Sequence, residues 1–361
     1  MTDRPLEGIT VLDFSTLLPG PLATLMLAEA GARVIKIERP GGEDMRFFAP
    51  RLSGKGVLYA MLNRGKERIE LDLKTPAARN RVLELARSAD VVVEQFRPGV
   101  MARLGLDAAA LRSANPRLVH CSITGFGQSG PRAGEAGHDL TYMALTGLLA
   151  LSCGSADAPV LPPVQVADIA GGSFPAVINI LLALLQRQRT GQGTSLDIAM
   201  CDAMFTFALF AQAQLVARGK APGNGADLLT GGSPRYRLYA AGDSGMIAVG
   251  ALEDKFWRAL CEAIDLPEAL RDDRADPAAT IAGVGARFRT RCADDWAPLL
   301  AAADCCACPV ATLEQAFTDP HFVERGLFDR VALAGEVEMP ALSLPISPAF
   351  RGGRSVASPD G

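Results

Sequence analysis

The apolar positions of this chain repeat with two different periods. Short apolar runs at Ile9–Phe14, Val34–Glu38, Arg68–Asp72, Val91–Glu94 and Leu118–Ile123 read as strands. Helical patterns lie between them. Leu22–Ala30 follows a Pro19-Gly20-Pro21 start and is closed by Gly31. Thr75-Pro76 supplies a cap and a first-turn proline for a helix to about Ser88, and Asp107–Ala114 forms another. Strand and helix alternate, which predicts a parallel α/β sheet with ligands beyond the strand C-termini.

Ser173–Arg189 is apolar nearly all round and is expected to be a buried helix. A strand at Ser195–Ile198 and one long helix at Met200–Ala217 follow. The texture then changes. Gly219–Pro234 is a Gly-rich loop, and Arg235–Tyr239 with Met246–Val249 forms a hairpin across Gly242-Asp243-Ser244-Gly245. Leu252-Glu253-Asp254 opens a helix, and further helices at about 277–289 and 294–303 precede a short strand at Pro309–Ala311. The expected organisation is a large Rossmann-like α/β domain over 1–218, a flexible linker at 219–232 and a small α+β domain over 233–325. Residues 326–361 would return to the large domain.

Composition narrows the function classes. The chain has 361 residues, 49% hydrophobic and 21% charged, with net charge −4 and no long basic run. Nucleic acid and anionic membrane surfaces are therefore not expected partners. The longest apolar helix core, Ala176–Leu185, is about half of what a membrane span needs. Met1-Thr2-Asp3-Arg4-Pro5 leads straight into a strand pattern, and eight cysteines follow no disulfide spacing. A cytoplasmic protein with reduced thiols is expected. Cys305-Cys306-Ala307-Cys308 matches no common zinc pattern. The first βαβ unit lacks G-x-G-x-x-G, which argues against a nicotinamide or flavin dinucleotide.

Candidate chemistry gathers at Gly137-His138-Asp139-Leu140-Thr141-Tyr142 and at Asp168. Asp139 is placed to cap a helix beginning at Leu140. The free N–H groups of such a helix start suit an oxyanion. Asp168 lies in an apolar stretch before Gly171-Gly172, where it is either a cap or a base with a raised pKa. On residue types alone the cap is the commoner arrangement. Arg39, Lys66, Lys74, Arg97 and Arg103 follow strands and are phosphate candidates or solvated surface charges.

Several motifs occur together in order from about residue 5 to residue 340. They include Leu6–Asp13, Gly20-Pro21, Asn63-Arg64-Gly65-Lys66, Leu71-Asp72-Leu73-Lys74, Phe96–Val100, Thr124–Pro131 and Arg189–Gly193. In this the chain resembles the family III CoA-transferases and their racemase branch. Gly137–Tyr142 looks like the α-methylacyl-CoA racemase form. The resemblance implies a site in which His138 and Asp168 are the two acid–base groups and Glu253 pairs with the histidine. Asp139 is the position that serves as nucleophile in the transferases. CoA would be held by Arg39, Leu71, Asp72, Leu73, Lys74, Glu94, Arg97, Arg103 and the backbone from Gly137 to Tyr142. The family is an interlocked homodimer, so Glu253 of one subunit would meet His138 of the other.

The implied reaction epimerises a 2-methylacyl-CoA by two-base proton transfer through an enolate, with no metal and no cofactor beyond the CoA of the substrate. The alternative is CoA transfer through an aspartyl anhydride at Asp139. A pure acyl-CoA binder is the third reading. Met143, Leu229 and the 219–234 loop are candidates for an apolar acyl surface, though such residues are more often core.

Overall fold

The computed structural model describes residues 4–152, 154–155 and 158–351. Cys153 and the tail beyond Arg351 lie outside the described residues. The chain divides into two compact units. One comprises Met1–Thr146, Val164–Phe207 and Pro320–Gly361, the other Gly147–Pro163 and Ala208–Asp319. Segments 147–163 and 208–218, grouped above with the large domain, thus cluster with the smaller unit. The single long helix expected over 200–217 is two, Met200–Phe207 and Leu209–Arg218. No Pro or Gly stands at the join, and nothing in the local sequence explains the break.

The large unit is built on six parallel strands. Their spatial order is Ser195–Ala199, Val119–Thr124, Val91–Glu94, Thr10–Asp13, Arg33–Glu38 and Glu67–Glu70. The register pairs Leu12 with both Ile35 and Val92. Two cores pack around these elements. Leu12, Ile35 and Val92 pack with Val82, Leu106 and Leu111 under the helices Pro76–Ala86 and Ala108–Ala114. On the helix Pro19–Glu29, Leu22, Leu25 and Met26 pack with Tyr59, Leu62 and Leu344. Each fully buried leucine contributes roughly 1.5–3 kcal/mol relative to exposure. The C-terminal segment is tied in by Glu29, which pairs with Arg64 at 3.2 Å and Arg330 at 2.8 Å.

The sheet order reverses direction between Thr10–Asp13 and Val91–Glu94. Segments leaving the C-termini of these neighbours diverge and open a crevice, the place where open parallel sheets hold ligands.

The helix Phe174–Thr190 differs from expectation in two ways. A π-helical stretch, Ala167–Ser173, continues into it, so the helical segment runs for 24 residues with a mean hydropathy of 1.7 in its most apolar window. That length and composition also suit a membrane-crossing helix, unlike the shorter apolar core read from the pattern. The helix is also not buried all round. Ile180, Ala183 and Leu184 are covered, and Arg187 pairs with Asp90 at 2.9 Å. Ile178, Leu181, Leu182 and Leu185 are exposed.

The smaller unit has an antiparallel sheet of Tyr236–Ala240, Met246–Gly250 and Ala307–Pro309. Tyr239, Phe288 and Trp296 stack behind it, with Trp296 Nε1 donating to the Phe288 carbonyl at 2.9 Å.

Candidate active site

The crevice at the sheet reversal is a cavity of about 320 Å³. Thr16, Leu17 and Pro19 wall it on one side; Gln95, Phe96, Arg97 and Pro98 wall it on another. Gly20 N–H donates to Gln95 Oε1 at 3.0 Å and joins the two walls. Gly137, His138, Tyr142, Asp168 and Met200 complete it. The structure therefore brings His138 and Asp168 to one cavity.

His138, not Asp139, is the N-cap of the helix Asp139–Leu145. Its N–H donates to Thr141 Oγ1 at 2.9 Å, and that hydroxyl donates back to the His138 carbonyl at 2.7 Å. The cap expected of Asp139 is corrected by one position, because Thr141 closes a box with residue 138. Asp139 occupies the first helical position, and its Oδ1 accepts from Asp168 N–H at 3.0 Å. Asp139 is not among the residues lining the cavity.

Asp168 sits in the first turn of the π-helical stretch. Such distortions are frequent at functional sites because they re-aim a side chain. Glycine permits the stretch to pack here. A Cβ on Gly171 would stand 2.5 Å from the Met200 carbonyl oxygen. Burial, with the Asp139 charge second, pushes the Asp168 carboxyl up to about 6; the His138 imidazole partly offsets this.

The Tyr142 ring lies so close to the loop that Cβ atoms on Gly125 and Gly137 would fall 2.5 and 2.3 Å from Cε1. It meets Phe126 edge to face at 5.3 Å. Burial first, then Asp168, pushes its phenol up to about 12, so it remains a donor.

The other sequence candidates divide. Arg39 follows Arg33–Glu38, Leu71, Asp72, Leu73 and Lys74 follow Glu67–Glu70, and Arg97 follows Val91–Glu94. Parallel pairing puts all these strand ends on one edge of the sheet. Arg103 ends the short helix Val100–Arg103. Arg39 is exposed and bonds Asp44 and the Gly42 carbonyl. Glu94 is buried and accepts from Phe96 N–H at 2.8 Å, so it holds the wall loop from beneath. Burial raises its pKa against the Ser122 and Phe96 hydrogen bonds. Lys66 is fully buried and is no surface phosphate ligand; it bonds Asp13 at 3.1 Å and Asn63 Oδ1 at 2.9 Å.

Glu253 belongs to the smaller unit. It is the exposed N-cap of the helix Asp254–Ala263, and its side chain makes no cap bond. Arg235 fixes the approach to this turn by donating to the Leu252 carbonyl at 3.0 Å while gripping Asp273 at 2.9 and 2.7 Å. Arg97 on the second wall was a sequence candidate; sequence reading missed Thr16–Pro19, Gln95, Phe96 and Pro98 as walls, and the Arg235 grip. Only their position after Thr10–Asp13 and Val91–Glu94 could have signalled the walls.

A six-stranded parallel sheet with a cavity at its reversal, lined by His138 and Asp168, fits an α/β enzyme. The chain belongs to CoA-transferase family III, whose family model matches residues 6–359. Human alpha-methylacyl-CoA racemase is 34% identical over 356 residues, 96% of this chain and 89% of the relative. Acetyl-CoA:oxalate CoA-transferase of Acetobacter aceti is 37% identical over 273 residues, 75% of this chain and 69% of the relative. The crystal structure of a CAIB/BAIF family protein from Brucella suis superposes with a TM-score of 0.82 at 31% identity, covering 96% of this chain and 93% of that one. Relatives named for racemisation and for CoA transfer thus match to a similar degree.

Proposed function

We propose that this enzyme epimerises 2-methylacyl-CoA thioesters by a two-base transfer of the α-proton. One of His138 and Asp168 removes the proton from the carbon next to the thioester carbonyl. The electron pair moves onto the carbonyl oxygen as an enolate, and the other group returns a proton to the opposite face. The first-turn N–H groups of Asp139 and Leu140, which have no partner inside the helix, are placed by type to receive the enolate oxygen. The chemistry calls for no metal.

The observation that carries this reading is the shared cavity of His138 and Asp168, with Asp168 raised to about 6, while Asp139 is turned to the Asp168 backbone. A carboxyl near 6 accepts and releases protons at neutral pH. The first test is α-proton exchange of a single-enantiomer 2-methylacyl-CoA in deuterium oxide without an acceptor acid.

The second reading is CoA transfer through an anhydride at Asp139. It draws on the transferase relatives and on the second Asp139 oxygen, which has no hydrogen-bond partner among the described residues. Transfer requires an acceptor acid and epimerisation does not. By the same resemblance CoA is held along the sheet edge bearing Arg39, Lys74 and Arg97. The enzyme acts as a homodimer in which Glu253 of the partner subunit orients His138. The exposed apolar residues Ile178, Leu182 and Leu185 support such an interface.

A further inference from the structure

Leu17 has a left-handed backbone, φ +61°, which side chains other than glycine and asparagine seldom adopt. It stands on the cavity wall. A conformation of this kind persists only where its surroundings over-determine it. Here they do. Leu17 N–H donates to Glu43 Oε2 at 2.9 Å. Glu43 Oε1 pairs at 3.0 Å with Lys36, whose side chain is 0% exposed, and Lys36 Nζ donates to the Ser15 carbonyl at 2.8 Å. The other face of the turn bears on the segment that carries Asp168. Ser173 Oγ donates to the Pro19 carbonyl at 2.8 Å, and a Cβ on Gly172 would stand 3.0 Å from Pro19 Cβ.

We infer that Glu43, backed by Lys36, is a positioning residue. By holding Leu17 left-handed it sets the Ser15–Pro19 turn as the rest against which the Asp168 segment is seated. A buried ion pair contributes little to stability after desolvation, so its value here is geometric. Its effect on turnover rests on the acid–base role proposed for Asp168; its effect on the turn does not.

The test compares two variants in a Lys36→Met background, so that neither leaves a buried ion unpaired. Glu43→Gln keeps an acceptor for Leu17 N–H and Glu43→Leu removes it. Amide hydrogen exchange is read by peptide, and kcat and KM are read from α-proton exchange. Glu43→Leu should speed amide exchange about tenfold in the peptides covering 15–19 and 167–173 and nowhere else. It should lower kcat about tenfold with KM within about twofold. Glu43→Gln should stay close to the Lys36→Met parent. Adding Leu17→Gly to the Glu43→Leu chain should return amide exchange over 167–173 to the parent rate, because glycine adopts φ +61° without restraint. Should Glu43→Leu not fold, Glu43→Asp in the chain that retains Lys36 withdraws the acceptor while keeping its charge beside that lysine, and the same confined pattern is expected. Unchanged exchange, exchange raised across the whole unit, or no rescue by Leu17→Gly overturns the inference. A wild-type enzyme without α-proton exchange overturns the function instead, and the amide exchange still decides this point.

Discussion

Asp139 holds Asp168 by its backbone: Asp139 Oδ1 accepts the Asp168 N–H at 3.0 Å, across 29 residues of sequence. The neighbouring charge also helps to raise the Asp168 carboxyl. Asp139→Asn keeps an oxygen for that hydrogen bond and removes the charge. It should therefore leave epimerisation within about threefold of wild type, whereas Asp139→Ala should cost about tenfold by loosening the segment. If Asp139 is instead a nucleophile, both variants lose activity completely, and steady-state kinetics of the pair separates the two cases.

Both proposed acid–base groups should be needed for turnover. His138→Ala and Asp168→Asn should each lower turnover by roughly 10²–10⁴-fold. Acyl-CoA binding, followed by calorimetry, should be largely kept.

Asp168 also sets a pH dependence. Its pKa is raised to about 6, so the folded protein binds a proton there more tightly than the unfolded chain does. Between about 4 and 6 the group's contribution to stability is lost as pH rises, and above 6 burying the charge is a constant cost. For the enantiomer from which Asp168 takes the proton, kcat/KM should rise with pH through about 6. Asp139→Asn should move this limb to lower pH. Asp168→Asn should unfold at a higher temperature than wild type at pH 7.5, by about 1 kcal/mol after allowance for partial solvation. A lower melting temperature contradicts the assignment.

Gly171 permits the π-helical turn to approach Met200. In Gly171→Ala the new methyl meets the Met200 carbonyl oxygen at 2.5 Å, against backbone that cannot rotate away. A loss of about 1–3 kcal/mol is expected. Turnover should fall more than substrate affinity, because Asp168 shares the turn. Thermal melts and kcat check both parts.

The exposed face of Phe174–Thr190 is expected to be the subunit contact. Ile178→Asp with Leu182→Asp should give monomers in analytical ultracentrifugation. They should also be inactive, since each His138 would lack the partner's Glu253.

The large sheet was legible because its strands are short apolar runs set off by capped helices. Val91–Glu94 and Thr75-Pro76 needed nothing beyond their own residues to be placed. His138 and Asp168 were legible as candidates only through the motif around them. Their meeting depends on the sheet reversal, which a linear pattern does not encode. The Asp139 cap was misplaced because Thr141 favours residue 138 as the cap, a choice made by side-chain geometry rather than residue type. Lys66 was misjudged as surface charge because its partner Asp13 lies 53 residues away. The apolar face of Phe174–Thr190 misled in the other direction, since apolar residues all round do not say which neighbour covers them.

The most direct test of the central claim is proton NMR of one enantiomer of a 2-methylacyl-CoA in deuterium oxide, with purified enzyme and no acceptor acid. The account predicts loss of the α-proton signal together with loss of optical purity, with epimerisation slowed roughly 10²–10⁴-fold in His138→Ala. An α-proton that persists across several acyl chains, with CoA transfer appearing only when an acceptor acid is added, would contradict it.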